Sequence, residues 1–267
     1  MQHHIHPDLL ANRVSIALVG CGGNGSQMLT GLARLHVALR ALDHPGLDVV
    51  AFDPDDVSPA NIGRQLFAPA DVGRNKATVL IHRLNAFYGL AWGAHPTVFH
   101  KRDMNPHILI SCVDSRAARA GINRIVEEPG WHPFYWMDLG NRAADGQVVL
   151  GIPAWNQKHR RNKLRLPTVV ELFPEIADIS RKEDNAPSCS LAEALGKQEL
   201  FINQAVVTTA LQILWQLFRF GSTDWHGAFI NLKSGRSTPL PVDAEAWKRL
   251  GFQHRPKTSN PTTQEKP

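Results

Sequence analysis

IALVGCGGNGS, residues 16–26, is an apolar run that gives way to four glycines. The run spans Val14 to Val19, and a short continuous apolar stretch of this kind is the pattern of a strand buried on both faces of a parallel sheet. From Ser26 to Leu39 the apolar residues Met28, Leu29, Leu32, Leu35 and Leu39 recur at helical spacing. The glycines therefore lie at a strand-to-helix turn. Gly20, Gly22 and Gly25 match GxGxxG there, where backbone amides at a helix start offer donors and a positive dipole end to a phosphate. Several nucleotide-binding families open this way, so the residues that follow decide which phosphate is held.

Working outward, Leu47 to Phe52 reads as a second strand ending at an acidic cluster, Lys76 to Phe87 as a helix, and Pro96 to Phe99 as a third strand. HILISCVD, residues 107–114, reads as a fourth strand with Asp114 at its end, followed by a helix from about Ala117 to Val126. PFYWMDLGN and GQVVLGIP supply two more strands. A long helix with the apolar stripe Phe201, Val206, Val207, Ala210, Leu211, Leu214 and Leu217 precedes a hairpin from GAFINL to STPLPV. Strands alternating with helices predict an α/β fold: a Rossmann-like, doubly wound, mainly parallel sheet with helices on both faces and a C-terminal β-hairpin. Its ligand is expected at the carboxyl ends of the strands. We expect one domain over 1–253, interrupted by a mobile crossover loop at about 156–198, and a disordered tail at 254–267.

The 267 residues are 43% hydrophobic, enough for a substantial core. No stretch is long and apolar enough for a membrane span, and the first residues lack the apolar core of a secretory signal, so a cytoplasmic protein is expected. The formal net charge of +5 suits an anionic ligand or acidic partner. Part of it lies in KHRRNKLR, residues 158–165, which reads as a solvated loop or as a nucleic-acid patch without an aromatic platform. His3, His4 and His6 read as a solvated terminus in preference to a metal site.

A nicotinamide-dependent oxidoreductase would use the glycine turn together with Asp53, at the end of the second strand, on the ribose hydroxyls. It leaves FDPDDVSPANIGRQLF and the following GRNK unexplained. In these stretches Asp53, Asp55, Asn61, Arg64, Gln65 and Lys76 follow one another. Two fixed cations near a glycine loop suit more negative charge than a pyrophosphate diester carries. No GxxxxGK[ST] is present, which excludes a Walker-type loop.

The ordered set GCGGNGS, DPDDVSPANIGRQ, GRNK and SCVDSRAARAGIN resembles the ThiF/MoeB-type, ubiquitin-activating-like adenylyltransferases, over about residues 14–151 and more loosely after residue 199. Within that family the chain is similar to a branch carried on bacterial plasmids. The resemblance implies ATP on Gly20, Gly22, Gly23 and Gly25, with Asp53 on the ribose and Asp55 nearby. It implies Asn61, Arg64, Gln65 and Lys76 along the polyphosphate and Mg²⁺ on Asp114. The substrate implied is the C-terminal glycine carboxylate of a small ubiquitin-like protein, and the assembly a homodimer. On residue chemistry alone, Asp114 has a second reading as the cap of the following helix.

Cys189, in APSCSLAEAL, resembles the cysteine that accepts the acyl group as a thioester in activating enzymes; an ordinary loop cysteine is the other reading. Cys112 and Cys21 read as a buried strand residue and a tight-turn residue. The chain departs from the family in two ways. It has no CxxC pairs, so no zinc site is expected. Only Arg13 precedes the glycine turn, where bacterial relatives supply an arginine across the dimer. A non-catalytic nucleotide- or DNA-binding plasmid protein is a further alternative.

Overall fold

The computed structural model describes residues 1–128, 130–131, 133–154, 164–182, 193 and 196–252. Its central feature is an eight-stranded sheet in the order β10-β9-β7-β6-β5-β2-β3-β4. The strands are β2 (Val14–Val19), β3 (Leu47–Phe52), β4 (Gly93–His95), β5 (Ile108–Ser111), β6 (Tyr135–Asn141), β7 (Asp145–Gly151), β9 (Trp225–Asn231) and β10 (Arg236–Pro241). A separate two-stranded ladder joins β1 (His3–His4) to β8 (Ser222–Thr223).

From β4 to β6 every neighbouring pair is parallel, and from β6 to β10 every pair is antiparallel. The apolar run at Ile16–Val19 forms the middle of the parallel half, with Ile16, Ala17 and Leu18 fully buried, as expected for a strand covered on both faces. The strand order reverses beside β2, whose neighbours are β3 on one side and β5 on the other. Right-handed crossovers therefore carry α2 (Gly23–Ala41) and α3 (Lys76–Tyr88) to one face and α4 (Arg116–Val126) to the other, opening a crevice at the reversal.

A short α5 (Val169–Leu172) with the 3-10 turn Pro174–Ala177 packs beside α4, while α6 (Ile202–Phe220) packs on α2 and on β6, β7 and β9. The crossing of α2 and α6 is close: a Cβ at Gly31 would lie 2.1 Å from Leu211 Cδ1. Free edges carry little strand-pairing potential. β4 has three residues, and Pro239 and Pro241 remove two amide donors from β10, an edge strand where proline is tolerated.

Several expectations change. The third strand is Gly93–His95, and 96–99 lies outside it; Trp92, seated by two bonds with Asn85, starts the strand earlier than the proline suggested. The second helix begins at Gly23, so Gly23 and Gly25 belong to its first turn. Within the expected crossover loop, Leu166, Val169 and Leu172 are buried, and a capping box at Thr168 and Glu171 starts α5. The N-terminal histidines divide: His4 is exposed and His6 partly so, but His3 is buried, with Nε2 2.8 Å from the Tyr135 hydroxyl, and β1 is paired. α1 (Pro7–Ala11) and α7 (Ala244–Arg249) were not anticipated. No helix among the described residues is long and apolar enough to cross a membrane. Residues 254–267 and most of KHRRNKLR lie outside the described residues.

Candidate functional site

A cleft of about 1580 Å³ opens at the carboxyl ends of the parallel strands and continues over the antiparallel half. Its inner wall is the glycine turn. Gly20 has φ of +90°, and a Cβ there would meet the Cys112 carbonyl oxygen at 2.8 Å, so only glycine lets β2 and β5 approach at this point. A Cβ at Gly25 would fall 1.8 Å from the Gly20 oxygen, which closes the turn onto α2. Gly23 is pressed by the Asn203 side chain at the start of α6. At Gly22, by contrast, the nearest atom to an added Cβ is Gln65 Nε2 at 3.9 Å, an ordinary contact, so this glycine on the cleft wall is the least crowded of the four.

The segment after β3 is clamped to this turn. Asp53, 5% exposed, accepts the Cys21 amide at 2.5 Å and the Asp55 amide at 2.8 Å. Burial raises its pKa, and those two amides work in the opposite direction. Asn75 caps α3 through the Thr78 amide and donates to the Asp53 and Asp55 carbonyls. Lys76 then sits at the first helical position, where a cation opposes the dipole. The compensating anion is Asp55, whose Oδ2 lies 2.9 Å from Lys76 Nζ. Asn61 closes a 3-10 turn by accepting the Ser58 amide at 2.8 Å.

Arg64, Gln65 and Asp114 complete the inner half. Arg64 is half-buried and donates to the Gln198 side chain; burial lowers its pKa, against which the Asp114 charge acts. Gln65 Oε1 and Arg64 Nε are buried without a hydrogen-bond partner among the described residues. Asp114 is exposed at the end of β5, and it is Ser115 that caps α4 by accepting the Ala118 amide, so the capping reading of Asp114 does not hold. Phe52, Val98 and Phe99 supply an apolar corner, with Phe52 stacked on His95 at 5.0 Å.

Beneath Asp114 lies a network that sequence reading missed. Asp138, fully buried in β6, accepts Arg119 Nε at 3.0 Å and the Ser111 hydroxyl at 2.6 Å, and Trp136 Nε1 donates to that hydroxyl at 2.8 Å. Arg119 Nη2 also donates to the Val113 carbonyl at 2.7 Å, which ties the strand-end loop carrying Asp114 to the core. A carboxylate inside the apolar run FYWMDL was the available signal. Gln198 and Asn203 carried no local motif.

The cleft therefore gathers Gly20, Gly22, Gly23, Asp53, Asp55, Asn61, Arg64, Gln65, Lys76 and Asp114, while Gly25 lies buried behind them. Arg13 is not among the lining residues; it lies at the amino end of β2, 3.8 Å from Asp48. Cys21 and Cys112 are buried, and burial drives both thiols upward, so neither is a reactive thiolate. Cys189 lies outside the described residues. Among the described residues no group of three or more His, Cys, Asp or Glu is placed to hold a metal ion. A single exposed carboxylate such as Asp114 fits Mg²⁺, which keeps several waters and is shared with substrate phosphates.

The model of the ThiF family matches residues 9–246. Ubiquitin-like modifier-activating enzyme 5 from Rattus norvegicus and that from Mus musculus are each 28% identical over 159 residues. The match takes in 52% of this chain and 36% of theirs, so the chain spans about a third of those relatives. Among solved structures, E. coli MccB with MccA has a TM-score of 0.58 at 14% identity, covering 88% of this chain and 65% of that one. PaaA gives 0.57 at 15%, covering 89% and 66%, and E. coli MccB with ATP gives 0.55 at 15%, covering 88% and 65%. At such identities the likeness is one of fold.

Proposed function

The chain belongs to the ThiF family, and from that premise we propose that it adenylates the C-terminal glycine carboxylate of a small ubiquitin-like protein at the expense of ATP. The observation that carries this reading is the convergence of the α2 start at Gly22 and Gly23 with Arg64, Lys76 and Asp114 on one cleft. A carboxylate and a triphosphate repel each other, so the chemistry asks chiefly for positioning and neutralisation.

In the proposed reaction the substrate carboxylate oxygen attacks the α-phosphorus, the bond to the bridging oxygen breaks, and pyrophosphate leaves with that electron pair. The start of α2 takes the phosphates, Asp53 faces the ribose, and Asn61, Arg64, Gln65 and Lys76 line the polyphosphate. Asp55 holds Lys76 in place beforehand. Mg²⁺ on Asp114 would supply charge neutralisation of the phosphate oxygens. Support for the ligand comes from the buried Gln65 Oε1 and Arg64 Nε, which a polar ligand and its water would satisfy.

We further propose a homodimer and a later transfer to Cys189, in which its sulfur attacks the acyl carbon and AMP leaves. The similarity to a plasmid-borne bacterial branch adds the expectation that the protein substrate is encoded beside this chain. The test is ATP/pyrophosphate exchange with such a protein. Asp114→Ala is expected to lower exchange by roughly 10²- to 10³-fold with an unchanged melting temperature, because the side chain is exposed. Wild-type exchange in that variant would remove its metal role. Tight NAD binding with no affinity for ATP would end the adenylation reading.

A further inference from the structure

The cations along the inner half of the cleft are held in two ways. Lys76 lies against the Asp55 carboxylate and Arg119 against that of Asp138. Arg64 has no carboxylate within ion-pair distance among the described residues, and its Nη1 donates instead to the side-chain oxygen of Gln198, a neutral group. The Asp114 charge acts on it from farther away. A carboxylate partner cancels much of a cation's field before a ligand arrives, whereas an amide oxygen fixes the direction of a guanidinium and leaves its charge in place.

Gln198 is engaged at both ends of its amide. Oε1 accepts from Arg64, which can only donate, and Nε2 donates at 3.3 Å to the Arg142 carbonyl, which can only accept, so the partners settle which way the amide points. A glutamate could make the first bond but not the second. The backbone beneath is held as well: the Glu199 amide donates to the Ala143 carbonyl at 2.7 Å, and α6 begins at Ile202, with Asn203 against Gly23. Gln198 therefore joins the turn after β6 and the approach to α6 to the turn that carries Arg64. That arginine keeps a donor in hand, since its Nε is buried without a partner among the described residues. Gly22, Gly23 and Gln65 line the same stretch of wall.

Resting on the adenylation reading, we propose that Gln198 is a positioning residue, which acts through Arg64 by holding its guanidinium towards the nucleotide's phosphates as a cation that no carboxylate cancels. Its influence then falls on the anion and not on the nucleoside. A residue that only packed the approach to α6 would affect both alike, and a glutamate pairing with Arg64 would leave that packing intact.

The proposal is tested by calorimetric titration of the full chain with inorganic pyrophosphate and with adenosine. Gln198 is partly exposed on a connector, so its variants are expected to fold. Gln198→Glu should weaken pyrophosphate binding about twentyfold by neutralising Arg64, and Gln198→Leu about fivefold by releasing it, while adenosine binds the three chains equally. In an Arg64→Ala background Gln198→Leu should change nothing further. Glutamate binding pyrophosphate at least as tightly as leucine, a leucine effect that persists without Arg64, or an equal loss for adenosine would overturn it. ATP/pyrophosphate exchange with the protein substrate keeps the two readings apart. The affinity order glutamine, leucine, glutamate without any exchange removes adenylation and leaves Gln198 its role, whereas exchange with equal pyrophosphate affinities in all three chains removes that role and leaves adenylation.

Discussion

The parallel and antiparallel halves of the sheet treat buried polar groups differently. Asp138, in the last parallel strand, is fully enclosed yet accepts from Arg119 and Ser111. His226, in β9, is equally enclosed; its Nδ1 meets the Leu150 carbonyl, and its Nε2 has no partner among the described residues. The first arrangement fixes a charge beneath the Val113–Asp114 loop; the second keeps an imidazole neutral as core filling against Trp247. The parallel half pairs Lys76 with Asp55 and Arg119 with Asp138, whereas Arg142 and Arg236 on the antiparallel half have no carboxylate within ion-pair distance among the described residues.

The sharpest way to break this comparison is Asp138→Asn. It leaves the Arg119 guanidinium buried without its counter-charge, and we expect a loss of about 3 to 5 kcal/mol in urea unfolding. A loss below about 1 kcal/mol would mean the pair is not holding the loop. The antiparallel half is probed by acid. Burial pushes the His226 pKa down to about 4. The unfolded chain binds its proton below about pH 6.5 while the folded chain does not, so stability falls as pH drops through that window. The contribution lost by pH 4 is about 3 kcal/mol, and His226→Phe should flatten that part of the stability profile. An unchanged slope would show that other groups dominate. The smallest effect is expected at the clamp behind Lys76: Asn75→Ala removes a cap and should cost about 1 kcal/mol of thermal stability. It should also weaken ATP binding in an equilibrium titration, since Asn75 holds the Asp53 and Asp55 carbonyls in place.

Much of the parallel half was legible because its signals are local. Val14–Val19, the glycines and the apolar repeat of α2 follow one another, and their strand, turn and helix are each set by neighbours in the chain. Asp53 and Asp114 were singled out because each stands just past a strand end, and Arg64 and Lys76 because they fall in the consecutive stretches FDPDDVSPANIGRQLF and GRNK. What escaped depends on distant partners. The buried place of His3 is decided by Tyr135, the seat of Arg119 by Asp138, and the Gln198 contact with Arg64 spans 134 residues of sequence. β4 was misplaced because Asn85 organises the chain at Trp92, which no period-two pattern reveals. The cleft face of the antiparallel half was invisible for a related reason: Gln147, Phe229 and Thr238, and Asp145, Asn231 and Arg236, are brought into rows across three strands by register alone.

The close crossing at Gly31 and Leu211 has a mechanical consequence. α2 and α6 meet there and again where Asn203 rests on Gly23, so the two helices are pinned at two places along their length. A pair held at two points resists both sliding and rotation and behaves as one rigid jaw, with both amino ends aimed at the cleft. The facing wall of the cleft, at Val98–Phe99 and Phe173–Ile176, is built instead from irregular chain and one 3-10 turn.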